Sequence, residues 1–498
     1  MSLADSILRV ATRAPGTVAI RDGERTLTYG ELVQASGTLM HLLSQRGVQP
    51  GRVLAMRMPN SMEAVASILA GLRLGTDLLL ADPALKAAEL LESCRKTGVL
   101  AVLGLAPCPD LPAGLCWQVP WVEELLAQGA PAPLPDLEGG PSAQSFLLHS
   151  SGTTGAPKIV RRTMAQAEAA VRIFEAELPC LASDRVLAAL PFFHSFGLLF
   201  TLLVTLRAGG ALHLDAFSPR ATAAAIAREG ITVLPATPFM FRLLAETRFE
   251  EGPSLASVRL ALSAGSGLPV AVAEAFKNRF GLGIHQSYVS TESGPVALGR
   301  PECYQPVPGW AGRLYRGVVL EFAGADPGSS GSQGRAIIVK SAGNASGYAG
   351  EPLASAEVFR NGAVHIGDLG RLDEAGDLHI LGRERPMLNV AGKKVSPAEV
   401  EACLKAHPGI DDAVVTGVPA PDGGSRIRAT LAASSALTIQ EVQTFVASRL
   451  ADFKVPRDIV FSDPEQRTTL GKARHPRMGQ HNQEGTSLLL DHKGQGHD

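Results

Sequence analysis

No two cysteines in this chain stand at C-x-x-C spacing. Cys94, Cys108, Cys116, Cys180, Cys303 and Cys403 are scattered along 498 residues. That argues against a zinc site or a disulfide framework and suits a reducing compartment. An excess of one charge is also missing. Lys and Arg number 46 against 48 Asp and Glu, a net −2, so no basic field advertises nucleic acid or an anionic membrane. Long apolar runs are lacking as well. The longest, Phe196 to Leu206, contains Gly197 and is too short to span a bilayer. Met1 to Asp5 shows no basic region leading into an apolar core, so no signal peptide is expected. These absences point to a soluble cytoplasmic protein with no membrane span and no nucleic-acid partner. What remains is ordinary globular composition, 45% hydrophobic and 19% charged. The length suits roughly two to four structural units, and no internal repeat is visible.

Read in order, the chain alternates helix and strand signals. Thr28 and Glu31 form a T-x-x-E capping box opening a helix to about Arg46. A strand follows at Val53 to Arg57, then a helix to about Leu74 with Asn60 as its expected cap. Strands at Leu78 to Leu80 and Val99 to Leu103 flank a helix at Leu85 to Arg95, and residues 105–144 read as a Pro- and Gly-rich excursion. Further strands are expected at Arg185 to Leu190, Ala211 to Leu214, Thr232 to Leu234, Leu260 to Ser263 and Ile284 to Tyr288. The helices between them lie near Met164 to Glu177, Arg220 to Glu229, Phe239 to Glu246 and Val270 to Phe280. This is an α/β pattern, parallel sheets covered by helices. From about Val307 short apolar runs between Gly and Pro suggest an antiparallel, barrel-like β unit. A second small α/β domain is expected over 385–478, after an N-terminal domain of 1–384. The tail, 479–498, has little to bury and is expected to be disordered.

One stretch organises the rest: Ser150-Ser151-Gly152-Thr153-Thr154-Gly155-Ala156-Pro157-Lys158, after the apolar Phe146-Leu147-Leu148. The glycines allow backbone angles that turn N–H groups inward as an anion nest, the hydroxyls add donors, and Lys158 adds a positive charge. A polyphosphate needs this set, although a Ser/Thr/Gly cluster also suits a solvated turn. It is not a Walker loop, because Pro157 takes the second glycine position. The run resembles the phosphate loop of the adenylate-forming ligases, which include acyl-CoA synthetases, stand-alone adenylation enzymes and luciferases, and matches their pattern throughout.

Further motifs follow in that family's order, and the resemblance covers about Thr26 to Lys472. Tyr288-Val289-Ser290-Thr291-Glu292 is similar to Y-G-x-T-E. It implies Glu292 as a Mg²⁺ ligand, Thr291 at the α-phosphate and Tyr288 on adenine, with Val289 departing from the usual Gly. Gly265 and Ser266, in Ser263 to Pro269, resemble the adenine-side loop; as a dinucleotide fingerprint the stretch fails at Val270. Gly362 to Arg383 resembles the ribose motif, with Asp368 on the ribose hydroxyls and Arg383 at ribose or phosphate; Ala363 and Ile366 depart from it. Lys472 resembles the C-terminal catalytic lysine. Phe193 and His194, in Pro191 to Leu198, resemble the acid-side motif of fatty acyl ligases. No Asp for an α-ammonium stands between Pro191 and Leu206, which disfavours an amino acid. Arg385, before Pro386, stands at the hinge where Asp or Lys is common. Gly392 and Lys393 fall in a stretch that resembles the family's loop facing the incoming thiol.

The resemblance implies a large N-terminal α/β domain with a small α/β C-terminal lid. It implies a two-step ligase using ATP and Mg²⁺: a carboxylic acid, fatty acid favoured, becomes acyl-AMP and then passes to coenzyme A. The alternatives are a carrier protein's phosphopantetheine as acceptor, with an acyl or aryl acid, a luciferase-type oxygenase, and a non-catalytic nucleotide sensor. A serine hydrolase built on Gly328-Ser329-Ser330-Gly331-Ser332 comes last, since that run reads as a surface turn.

Overall fold

The computed structural model describes residues 2–85, 87–129, 144–150, 158–249, 252, 254–323, 334–383, 388–390, 393–395, 397–419, 425–433, 436–450 and 452–462. The expected tail and the Gly328–Ser332 turn lie outside them.

A seven-stranded sheet runs in the order Gly347–Tyr348, Lys158–Thr163, Ser145–Ser150, Asp77–Leu80, Val53–Met56, Val99–Gly104, Cys116–Gln118. Its central strands are parallel, with Leu78 beside Phe146 and Leu80 beside Leu148. They are buried on both faces, as parallel strands covered by helices must be. Side chains alternate between two cores. Leu54, Leu78, Leu80, Phe146 and Leu148 join the large cluster that continues through the helix Met62–Leu74. Ala55, Leu79, Val102 and Leu147 face the other way, onto Leu90 and Cys94 of the helix Ala87–Thr97.

A longer sheet carries the remaining strands of the large domain. Five of them, Val18–Asp22, Ala211–Leu214, Arg185–Ala188, Val233–Ala236 and Leu260–Ser263, run parallel, and Ile284–Ser290 continues them. The antiparallel strands expected from about Val307 begin earlier, at Gly294, and continue this sheet through Gly294–Gly299 and Trp310–Leu314. Gly312 is required there: its φ is +85°, and a Cβ would collide with Leu298 and Gly299.

The C-terminal unit has its own core. The strands Ile410–Pro419, Ser425–Ala433 and Asp458–Phe461 form a sheet, covered by the helices Pro397–Lys405 and Ile439–Ala447. Val400, Leu404, Val415, Ala429, Leu431, Val442 and Val446 pack between them.

Two expectations need correction. Residues 105–144 are not only an excursion: they contain the edge strand Cys116–Gln118 and the helix Val122–Ala127. Asn60 is not the helix cap either. Ser61 accepts from Ala64 N–H in that role, while Asn60 turns away to another segment.

Candidate active site

Three of the expected motifs leave the C-terminal ends of parallel strands in one sheet, where open α/β sheets place their ligands. Arg185–Ala188 leads to Pro191–His194, Leu260–Ser263 leads to Gly265–Ser266, and Ile284–Ser290 leads to Thr291–Glu292. Gly265 has φ +91°, a conformation that explains glycine at this turn. Ser266 is exposed beside it.

The Thr291–Glu292 turn is held from several directions. Ser293 N–H donates to Ser290 Oγ at 2.9 Å, which closes the turn locally. Behind it lies Arg162, fully buried, donating to the carbonyls of Thr291 (2.8 Å) and Gly343. Burial pulls the Arg162 pKa down to about 10, and the Glu292 charge partly offsets this, so it remains a cation at neutral pH. Ala345 N–H donates to the Glu292 carbonyl at 2.8 Å. The Glu292 carboxylate accepts from Tyr348 Oη at 3.1 Å. Burial, then the charge of Glu292, pushes the Tyr348 phenol far above its ordinary value, so it stays a donor. Lys158 Nζ sits 4.8 Å from the centroid of the same Tyr348 ring, a cation–π approach.

Lys158 owes its place to register. It pairs with Ser150 across an antiparallel ladder, so the ends of the phosphate-loop stretch stand side by side. Tyr348 pairs with Val160 on the far side of the same strand. The Ser150 hydroxyl is buried and has no hydrogen-bond partner among the described residues. On the other flank Tyr288 Oη donates to Asp368 Oδ2 at 2.5 Å, joining the expected adenine and ribose contacts. Asp368 stands opposite Arg383 in the backbone ladder. Val289 lies at a register shift in its strand with no positive φ, so the β-branched residue fits there without backbone strain.

The acid-side segment is built differently. Asn60 donates to the carbonyls of Ala188 (3.0 Å) and Leu190 (2.8 Å) and accepts from Phe192 N–H (2.9 Å). Phe193 and His194 stay half-exposed, their rings 4.6 Å apart, before the chain enters the fully buried π-helix Gly197–Val204. A side chain at Gly197 would strike the Pro191 carbonyl, so this tight turn needs glycine.

Comparison with known proteins places this geometry. A model described as AMP-binding enzyme matches residues 7–349, and one described as AMP-binding enzyme C-terminal domain matches 399–472. The chain belongs to the AMP-binding enzyme family. This adenylate-forming, acid–thiol ligase is 30% identical to a feruloyl-CoA synthase of an Amycolatopsis species, over 93% of this chain and 96% of that one. It is also 30% identical to a 2-succinylbenzoate–CoA ligase of Geobacillus kaustophilus, covering 92% and 94%. Among solved structures it resembles the Bacillus subtilis O-succinylbenzoate coenzyme A synthetase in complex with AMP. That match has TM-score 0.82 and 26% identity, over 95% of this chain and 99% of the other.

Within the ligase, Lys158 and Glu292 meet through Tyr348, Arg162 holds the Thr291 carbonyl, and Tyr288 meets Asp368; the two flanks are joined along the chain from Tyr288 to Glu292. Ser151, Gly152, Thr153, Thr154, Gly155, Arg385, Gly392 and Lys472 lie outside the described residues, and for Arg383 and Lys393 only the backbone is described. Three residues escaped the sequence reading. Arg162 was hidden within the polar run Arg161-Arg162-Thr163, and a charged residue expected to alternate inward on a buried strand was the available signal. Tyr348 and Asn60 act on partners 56 and at least 128 residues away, and short motifs do not carry such pairings. Among the described residues no cluster of three or more His, Cys, Asp or Glu is gathered for a metal, and no helix is long and apolar enough to cross a membrane.

Proposed function

We propose that this ligase activates a non-amino carboxylic acid with ATP and transfers the acyl group to coenzyme A. The observation that carries the reading is the Thr291–Glu292 turn. It joins a nucleotide flank, Tyr288 with Asp368, to a phosphate flank, Lys158 with Tyr348. A carboxylate oxygen of the acid attacks the α-phosphorus, and pyrophosphate leaves. The thiol then attacks the acyl carbon, and AMP leaves.

In the first step Asp368 accepts hydrogen bonds from the ribose hydroxyls, and Tyr288 lies against adenine. Thr291 meets the α-phosphate. The loop Ser151 to Gly155, with the Ser150 hydroxyl and Lys158, binds the outer phosphates. A lone carboxylate such as Glu292 suits Mg²⁺, which takes one or two protein carboxylates and completes its shell with phosphate oxygens and water. Glu292 would hold it, and the ion would offset phosphate charge. Tyr348 orients the Glu292 carboxylate through one oxygen. Arg162 fixes the turn by its carbonyls and adds a buried positive charge behind it. Holding the reactants in line supplies roughly 7–11 kcal/mol at best. Lys472, from the C-terminal unit, bridges the acid carboxylate and α-phosphate. In the second step Gly392 and Lys393 face the thiol and Arg385 serves as hinge.

For the acid we favour an aryl-bearing carboxylate. The half-exposed Phe193 and His194 rings offer an aromatic surface, and the relatives described above are named for aryl acids. A fatty acid is the second reading, favoured by the likeness of Pro191 to Leu198 to fatty acyl ligases. Pyrophosphate release across aryl, saturated fatty and amino acids, with MgATP and with or without coenzyme A, tests all of this. Release with aryl acids, enhanced by coenzyme A, is expected. Release that coenzyme A does not enhance points to a carrier-protein acceptor. ATP binding with no release from any acid overturns the enzyme reading in favour of a nucleotide sensor.

A further inference from the structure

At the edge of the seven-stranded sheet, far in sequence from every motif above, two half-buried thiols meet. Cys108 Sγ and Cys116 Sγ are 2.6 Å apart. The chain between them is compact: Leu111 N–H donates to the Cys108 carbonyl (3.0 Å) and Leu115 N–H to that of Pro112 (3.1 Å). Pro109 and Pro112 stiffen it further. The strand Cys116–Gln118 pairs in parallel with Val99–Gly104, setting Cys116 beside Val102. Both sulfurs point to the Ala106 carbonyl and lie over Gly104, where an added Cβ would stand 3.4 Å from Cys108 Sγ. Asp110, inside the loop, is anchored by Arg57 at 2.8 Å, and Arg57 also donates to the carbonyls of Pro83 and Leu85. The other cysteines offer a contrast: Cys94 is buried against apolar side chains, and Cys303 is exposed.

We propose that Cys108 and Cys116 form a reversible dithiol–disulfide site, oxidised by a small-molecule disulfide. A thiolate from one cysteine attacks a sulfur of that disulfide, and one small thiol leaves. The second cysteine attacks the protein sulfur of the mixed disulfide, the internal S–S bond forms, and the second small thiol leaves. The two protein protons go to the two released thiols, so the protein is oxidised by two electrons and the small disulfide is reduced. The fold supplies what this exchange needs. The sulfurs already touch, the loop that separates them is pinned at Asp110, and neither sulfur is sealed from solvent. Burial pushes the Cys116 thiol up to about 11 while Arg57 opposes it, which keeps Cys116 a thiol until such an oxidant arrives.

The test treats the native protein with oxidised glutathione, quenches it in acid, and then counts thiols in denaturant and maps peptides. We expect the count to fall from six to four, with a single internal link joining Cys108 to Cys116, and dithiothreitol to restore six. Cys116→Ser should instead collect a glutathione adduct on Cys108 and form no internal link. Acid-dependent ATP–pyrophosphate exchange equal to wild type before oxidation would show that this variant is folded. Six surviving thiols, adducts without an internal link in the wild type, or a link through any other cysteine would overturn the proposal.

Discussion

The Thr291–Glu292 turn and the Pro191–His194 segment leave strands of the same sheet, yet they are secured in opposite ways. The turn is fixed by a buried cation, a phenol, a serine pair and a backbone donor from Ala345. The acid-side segment is held by the side chain of Asn60 and by its own backbone turn, His194 N–H to the Pro191 carbonyl. On the proposed reading the first region meets ATP and the second meets the acid, which differs among the named relatives, so the acid side can change while the buried support of the Thr291–Glu292 turn stays in place.

The comparison can be broken most severely at Arg162. Arg162→Met removes the donor that the carbonyls of Thr291 and Gly343 share. It should lower stability by about 2–4 kcal/mol in urea unfolding, since each unsatisfied buried group costs about 1–3 kcal/mol. ATP–pyrophosphate exchange should fall about 100-fold or more. Unchanged exchange would show that the turn does not depend on its buried cation. Lys472→Ala should cost adenylation about 10²-fold, the scale for one transition-state donor. Thioester formation from supplied acyl-adenylate should survive much better, and equal loss in both steps would refute the role given to this lysine.

Milder changes sharpen the contrast. Tyr348→Phe removes one charge-assisted hydrogen bond, about 1.5–3 kcal/mol. Exchange should fall about 10-fold, and the Mg²⁺ concentration for half-maximal ATP binding by calorimetry should rise, with the acid KM unmoved. Asn60→Ala should do the reverse, raising the acid KM about fivefold, on the scale of one net hydrogen bond, with the ATP KM unmoved. If both variants shift both constants together, the two regions are not independent.

Much of this was legible in the sequence where a signal is local. Met164–Glu177 and Val270–Phe280 have the expected bounds because their ends are written nearby: Thr163 and Gln166 form a capping box, and Gly281 takes the left-handed conformation after Phe280. Asn60 was misread because it and Ser61 both suit a cap, and only the tertiary structure shows which turns inward. The strand Cys116–Gln118 is three residues long, too short to show alternation. Glu292 and Asp368 could be found from motifs, but the Tyr288–Asp368 contact depends on where two distant strands are placed, and Arg162 and Tyr348 depend on pairing across the sheet edge.

The short strand Gly347–Tyr348 has a further consequence for how the enzyme is made. It joins the sheet beside Lys158–Thr163, almost two hundred residues earlier in the chain. Contacts of such long sequence separation form late. A ribosome must therefore release nearly the whole large domain before Tyr348 can reach Glu292 and Lys158. Until then the emerging polypeptide carries the Ser150–Lys158 stretch without Tyr348 beside it, so on the proposed reading a half-synthesised chain lacks the group that orients Glu292.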